Sequence, residues 1–114
     1  MQSTFRKKTI WIDGMIQFMP TANQIQLADT TIQLRPYVAE LLWLFCQKPG
    51  CILSRHDLRH AFLLEHSRED LTESALTQLI CSLRRQLGLL DRQKVFIKTL
   101  PRIGYIFVGA VQTF

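Results

Sequence analysis

A chain of 114 residues fits one domain with a real core and leaves no room for a second. Apolar residues at 47% and charged residues at 20% exclude a disordered chain and match a folded one. The stretch 84–102 holds Arg84, Arg85, Arg92, Lys94, Lys98 and Arg102 against Asp91 alone, an excess equal to the net +5 of the whole chain, and such concentration points to a polyanionic partner.

The first third alternates polar and apolar residues in short runs, the pattern of strands with one buried face. Residues 9–12 lead into Asp13-Gly14, a strong hairpin dipeptide, and residues 15–19 follow. Pro20-Thr21-Ala22-Asn23 makes a turn, and QIQL and TIQL are joined around Ala28-Asp29. The segment 9–34 therefore reads as a meander of three or four antiparallel strands.

Three helices follow over 36–87. Pro36 suits a first helical turn, Val38, Leu41, Leu42 and Phe45 recur at helical spacing, and Pro49-Gly50 stops the run. Ser54 can cap a second helix reaching roughly Phe62, with Leu58, Ala61 and Phe62 inward. Residues 64–71 read as an exposed connecting loop. Thr72 is the expected N-cap of the third helix, with Glu73 near its positive end and Gly88 as its stop. Residues 95–99 and 105–108 are rich in β-branched and aromatic residues, and Pro101-Arg102-Ile103-Gly104 turns between them, so 95–108 reads as a hairpin.

The third helix carries the sharpest signal. Leu76, Leu79, Ile80, Leu83 and Leu87 share one narrow arc, and the opposite arc holds Ser74, Gln78, Cys81 and Arg85, flanked by Thr77 and Ser82. Solvated helix faces usually carry Glu and Lys in i,i+4 pairs, and this one has none. Arg and Gln can read guanine and adenine edges in bidentate fashion, and hydroxyls can reach bases or phosphates. A preceding helix and a basic hairpin complete the pattern of a winged helix-turn-helix, in an α+β fold with an N-terminal antiparallel sheet, three helices and a C-terminal β-hairpin wing.

LTESALTQLICSLRRQLG and VFIKTLPRIGYIF resemble the effector domain of the OmpR/PhoB winged-helix family. TQLICSLRRQLG with TLPRIGY is most similar to its ToxR and CadC branch, and PTANQIQL and LLWLFCQKPGCILSRHDL fall in family order. The resemblance covers roughly residues 10–108. It implies a bacterial, cytoplasmic, sequence-specific DNA-binding regulator of two-component-like type, not an enzyme and without a cofactor. The recognition helix, about 72–87, would enter the major groove of promoter DNA, and the wing, about 98–106, would meet the adjacent groove or backbone. Carried onto this chain, Gln78, Ser82 and Arg85 would read bases, Cys81 would lie among them, Thr77 and Arg84 would meet phosphates, and Lys98 and Arg102 would act from the wing. The family also implies contact with RNA polymerase through the 64–70 loop and pairing as a homodimer on direct repeats. Ala75, Leu79 and Ile103 stand where polar or basic residues are common in the family, and this lighter charge favours binding through dimerisation or a membrane tether beyond Phe114.

A winged-helix module that binds a partner regulator and has little DNA affinity is the alternative, since fold alone does not set function. Other constellations are weaker. Cys46, Cys51, His56 and His60 lack the long intervening segment of a zinc finger, and Cys46 belongs to an apolar helix face. Ser54, His56 and Asp57 have no Gly-rich loop or nucleophile elbow, and Ser54 is better used as a cap. Trp11 and Trp43 read as packing residues. Three cysteines in apolar or helical contexts argue for a reducing cytosol over a disulfide framework, and the longest apolar run, residues 41–46, is too short to span a bilayer.

Overall fold

β1 (Ile10–Ile12) and β2 (Ile16–Met19) open an antiparallel sheet, with Ile10 opposite Phe18 and Ile12 opposite Ile16. Asp13 and Gly14 both take positive φ between them, which is why this dipeptide can reverse the chain so tightly. A single 3-10 turn at Pro20–Ala22 leads to β3 (Gln24–Leu27), which pairs with β4 (Thr30–Gln33) across Ala28-Asp29. The expected meander thus has four strands. In this computed structural model, which describes residues 8–66 and 71–113, Ile10, Ile12, Ile16, Phe18 and Ile25 all point into the core.

α1 (Pro36–Gln47) starts on Pro36 as expected and buries Val38, Leu41, Leu42 and Phe45. β5 (Ile52–Leu53) is the short apolar piece that follows. α2 (Arg55–His66) runs a turn further than Phe62, with Leu58 and Phe62 buried. Its start is a reciprocal cap: the Asp57 amide donates to Ser54 Oγ at 2.9 Å, and the Ser54 amide donates to Asp57 Oδ2 at 2.9 Å. Residues 64–66, expected to open the connecting loop, belong instead to α2, where Leu64 is exposed, and residues 67–70, most of the segment assigned to RNA polymerase, lie outside the described residues.

α3 (Glu73–Leu90) begins at Thr72, whose hydroxyl accepts from the Ala75 amide at 3.0 Å. It does not stop at Gly88. The helix continues to Leu90 because Leu90 packs against the core and the Asp91 amide still closes onto the Leu87 carbonyl. Gly88 therefore sits inside the helix and does not supply the left-handed residue that a glycine stop would use.

β6 (Ile97–Leu100) and β7 (Gly104–Phe107) form the hairpin, shifted from the expected limits, with Val95 and Phe96 lying ahead of the first strand. β7 pairs on its other side with β5, giving a three-stranded sheet in the order β5-β7-β6. The last strand, β8 (Val111–Thr113), joins β1 and makes the first sheet five-stranded, in the order β4-β3-β2-β1-β8. Asp13 fixes that junction: its amide donates to the Ala110 carbonyl at 2.7 Å, and its Oδ1 accepts from the Ala110 amide at 2.8 Å. α1 and α3 pack against each other within one core, where Phe45 stacks on Phe107 at 6.1 Å.

Candidate nucleic-acid interface

Burial of Leu76, Ile80, Leu83 and Leu87 fixes the rotation of α3 about its axis. With those four inward, Ser74, Thr77, Gln78, Cys81, Arg84 and Arg85 are exposed, and Ser82 is half-buried at the edge of the same stripe. Gln78, Cys81 and Arg85 share the outermost arc. Arg85 is held lightly, its Nη2 donating to Ser82 Oγ at 3.3 Å. Leu79, placed by the sequence among the inward leucines, is half-buried and packs against the core.

The wing turn places Arg102 at its exposed tip. Pro101 and Arg102 are the central residues, the Ile103 amide donates to the Leu100 carbonyl at 2.9 Å, and Arg102 has φ of 65°. Glycine or asparagine is the usual occupant of such a left-handed position. Arg102 therefore holds this turn at a conformational cost. Lys98 is exposed on β6, opposite Ile106 of β7.

Two of the anticipated contacts are turned toward the protein itself. Arg84 Nη2 donates to the Ile97 carbonyl at 3.0 Å and to the Thr99 hydroxyl, and its guanidinium lies 5.7 Å from the centre of the Tyr105 ring. Thr77 Oγ1 accepts from Arg55 Nη2 at 2.7 Å. The charge excess of 84–102 is also smaller in space than in sequence, because Lys94 reaches back to the carboxylate of Asp13.

The sequence reading missed the group that ties helix to wing. Arg55, at the start of α2, donates to the Glu73 carboxylate, to the Glu73 carbonyl at 2.7 Å, to Thr77, and to Tyr105 Oη at 2.7 Å. Arg59 donates to the Leu71 carbonyl at 2.6 Å and to Glu73 Oε2 at 2.9 Å. Arg55 and Arg59 lie one turn apart, so both guanidiniums reach the same carboxylate at the start of α3. Tyr105 takes Arg55 at its hydroxyl and Arg84 on its ring, so two helices and the wing meet at one side chain. The available signal was the pair of arginines four apart on α2 facing an acid beside a helix cap.

The Arg55 hydrogen bond is the main cause that holds the Glu73 carboxyl below the usual carboxylate range, with the Arg55 and Arg59 charges adding to it. Asp57 is lowered too, chiefly by the Ser54 amide and then by the Ser54 hydroxyl. A depressed carboxyl stabilises the fold above its unfolded pKa and loses that contribution as the pH falls through its folded value. Thermal midpoints should therefore begin to fall as the pH drops below about 4.3, the ordinary value for glutamate. Glu73→Gln should show a smaller fall than the parent across that acid window; identical pH profiles would remove Glu73 from the account.

The remaining constellations do not gather. Cys46 is buried in α1, where burial pushes its thiol well above the usual range, while Cys51 is exposed. His56 and His60 stack on each other with ring centres 6.0 Å apart on α2. No three His, Cys, Asp or Glu side chains converge to hold a metal among the described residues. No helix among them is long and apolar enough to cross a membrane.

The profile of the family described as "Transcriptional regulatory protein, C terminal" matches residues 29–107. The chain is 31% identical over 99 residues to the cholera toxin transcriptional activator of Vibrio cholerae, covering 84% of this chain and 33% of that protein. It is 34% identical over 87 residues to the transcriptional activator CadC of Escherichia coli, covering 75% of this chain and 16% of that protein. The chain thus spans a third or less of the length of these relatives. Among solved structures, the DNA-binding domain of E. coli CadC superposes with a TM-score of 0.80 at 29% identity, covering 94% of this chain and 97% of that one. The DNA-binding domain of E. coli CpxR gives 0.69 at 27% identity, covering 88% and 95%. That of Klebsiella pneumoniae RstA, solved in complex with the RstA box, gives 0.68 at 24% identity, covering 88% and 96%, and supports the fold. With the helices, sheets and wing in place, the chain belongs to the family of transcriptional regulatory protein C-terminal domains, the winged-helix DNA-binding domains of OmpR/PhoB type.

Proposed function

We propose that this domain binds duplex promoter DNA sequence-specifically, with α3 in the major groove and the wing tip on the adjacent groove or backbone. The observation that carries this reading is the carboxylate-free stripe of exposed Gln78, Cys81 and Arg85, with half-buried Ser82 at its edge, on a helix whose rotation the core fixes. Gln78, Ser82 and Arg85 face base edges, where amide and guanidinium groups have the donor and acceptor geometry to discriminate. Cys81 lies between them as a small, weakly polar surface against the groove. Lys98 and Arg102 meet phosphates or the minor groove. Thr77 and Arg84 are given a different role from simple phosphate contacts: bonded to α2 and the wing, they hold the angle between the two arms.

Electrostatics agrees in sign with this reading, since the chain carries a net +5 and the wing tip is basic. The relatives named as transcriptional activators are longer proteins. On this reading the domain is the part that finds the promoter, acts in the cytoplasm, and pairs with a second copy on repeated sites. Contact with RNA polymerase through residues 64–70 and a membrane tether outside the chain belong to the same proposal.

Selection of bound duplexes from a random pool, followed by band-shift titration over a salt series, tests the reading directly. A recovered consensus and a steep fall of affinity with salt are expected. Weak, salt-insensitive binding with no consensus would favour the partner-binding module instead. Arg102→Gly sharpens the test because glycine suits the left-handed turn. It should leave the thermal midpoint nearly unchanged while making the salt slope shallower by about one. An unchanged slope would remove Arg102 from the interface.

A further inference from the structure

α3 has two flanks beside its outward stripe, and they differ. At about 100° per residue, Thr77 and Arg84 lie on one side of Gln78, Cys81 and Arg85, whereas Ala75, Leu79 and Ser82 lie on the other. The first flank is occupied by Arg55, Tyr105 and the wing. The second opens into a cleft of about 490 Å³ lined by Gln78, Leu79 and Ser82 from α3 and by Arg35, Pro36 and Tyr37 from the start of α1.

Arg35 is exposed at this cleft, and its guanidinium makes no hydrogen bond or ion pair among the described residues. It is the N-cap residue of α1 but makes no side-chain capping bond, since a guanidinium has no acceptor to offer the amides of the first turn. The fold therefore gives this side chain no task, while placing its charge beside two residues assigned to base reading. A helix lying in a major groove is bordered by two sugar-phosphate walls. The wing and α2 are on the side of one; Arg35 is on the side of the other.

We infer that Arg35 is a phosphate-binding residue that clamps the DNA strand bordering the major groove on the side away from the wing, making the interface two-sided about the recognition helix. This deepens the function proposed above and rests on it. A guanidinium in that position matches phosphate geometry and carries no sequence information, so it would set register while Gln78, Ser82 and Arg85 discriminate.

The test uses a duplex selected from the random pool. Arg35→Ala and Arg35→Glu should bind more weakly than the parent, and Arg35→Lys should recover most of the loss. For Arg35→Ala the salt slope should be shallower by about one, so the gap from the parent should narrow about three- to fourfold as salt rises fourfold. Neutral methylphosphonates placed singly along the duplex should weaken the parent at a position on the strand away from the wing, and Arg35→Ala should be insensitive there. Parent-like slopes in both the alanine and glutamate variants, with parental thermal midpoints, would overturn the inference and leave the DNA-binding reading standing. A parent that binds no duplex would overturn both.

Discussion

Gly104→Ala should lower the thermal midpoint of the domain by more than about 12 °C, from a destabilisation of about 3 kcal/mol. Gly104 opens β7 at φ of 153°, and a Cβ built there would lie 2.3 Å from the Leu53 carbonyl oxygen and 2.8 Å from the Ser54 Cα. These are backbone atoms, so no flexible side chain can move aside. Relief requires β5 and β7 to separate at the pairing of Leu53 with Tyr105, the residue on which α2, α3 and the wing converge. DNA binding should fall together with stability, because the wing would lose its fixed angle to α3. Thermal and urea unfolding of parent and variant measure the effect, and a midpoint within a few degrees of the parent would show that the two strands are not held as closely as described.

Arg85→Ala should cost about 1–3 kcal/mol on a selected site, a loss of about fivefold to more than a hundredfold. Arg85 is exposed on the outermost arc of α3, and its long hydrogen bond is to Ser82 at the edge of the same stripe. Truncation should therefore leave the thermal midpoint close to the parent's and act on binding alone. The loss should be concentrated at one base-pair position, where preference relaxes, and should be smaller on mixed-sequence duplex. Band shifts on both duplexes separate these outcomes; equal binding of variant and parent to the selected site would remove Arg85 from base reading. Arg84 offers the contrast within the same dipeptide, since its guanidinium is spent on Ile97, Thr99 and Tyr105.

What was legible in the sequence was local. The 3.6-residue period of α3, the caps at Ser54 and Thr72, Pro36 at a first turn and Asp13-Gly14 in a hairpin all act over four residues or fewer, and each is found where the spacing put it. The rest depends on chain segments far apart. β8 is three residues with one half-buried position, so nothing in its own pattern marks it as a strand until β1 supplies the partner. The Gly88 signal pointed the wrong way because the pull of Leu90 toward the core outweighs the preference of glycine for a helix end. Arg55 meets Tyr105 across fifty positions of sequence, and Lys94 meets Asp13 across a still longer gap. Charge counted along the chain could not register that pairing. For the interface, the outward stripe was visible from periodicity alone, whereas the inward commitments of Arg84 and Thr77 and the open position of Arg35 needed the neighbours of α3.

The sharing of β7 between the wing and the strand that joins α1 to α2 has a mechanical consequence. Recognition helix and wing tip behave as the two jaws of a fixed gauge, set by Tyr105 and by the glycine beneath it, and not as fingers that adjust separately. On the DNA-binding reading, a promoter whose groove spacing departs from that setting must bend or twist to fit, so the elasticity of the duplex would enter the choice of site even at base pairs that no side chain touches.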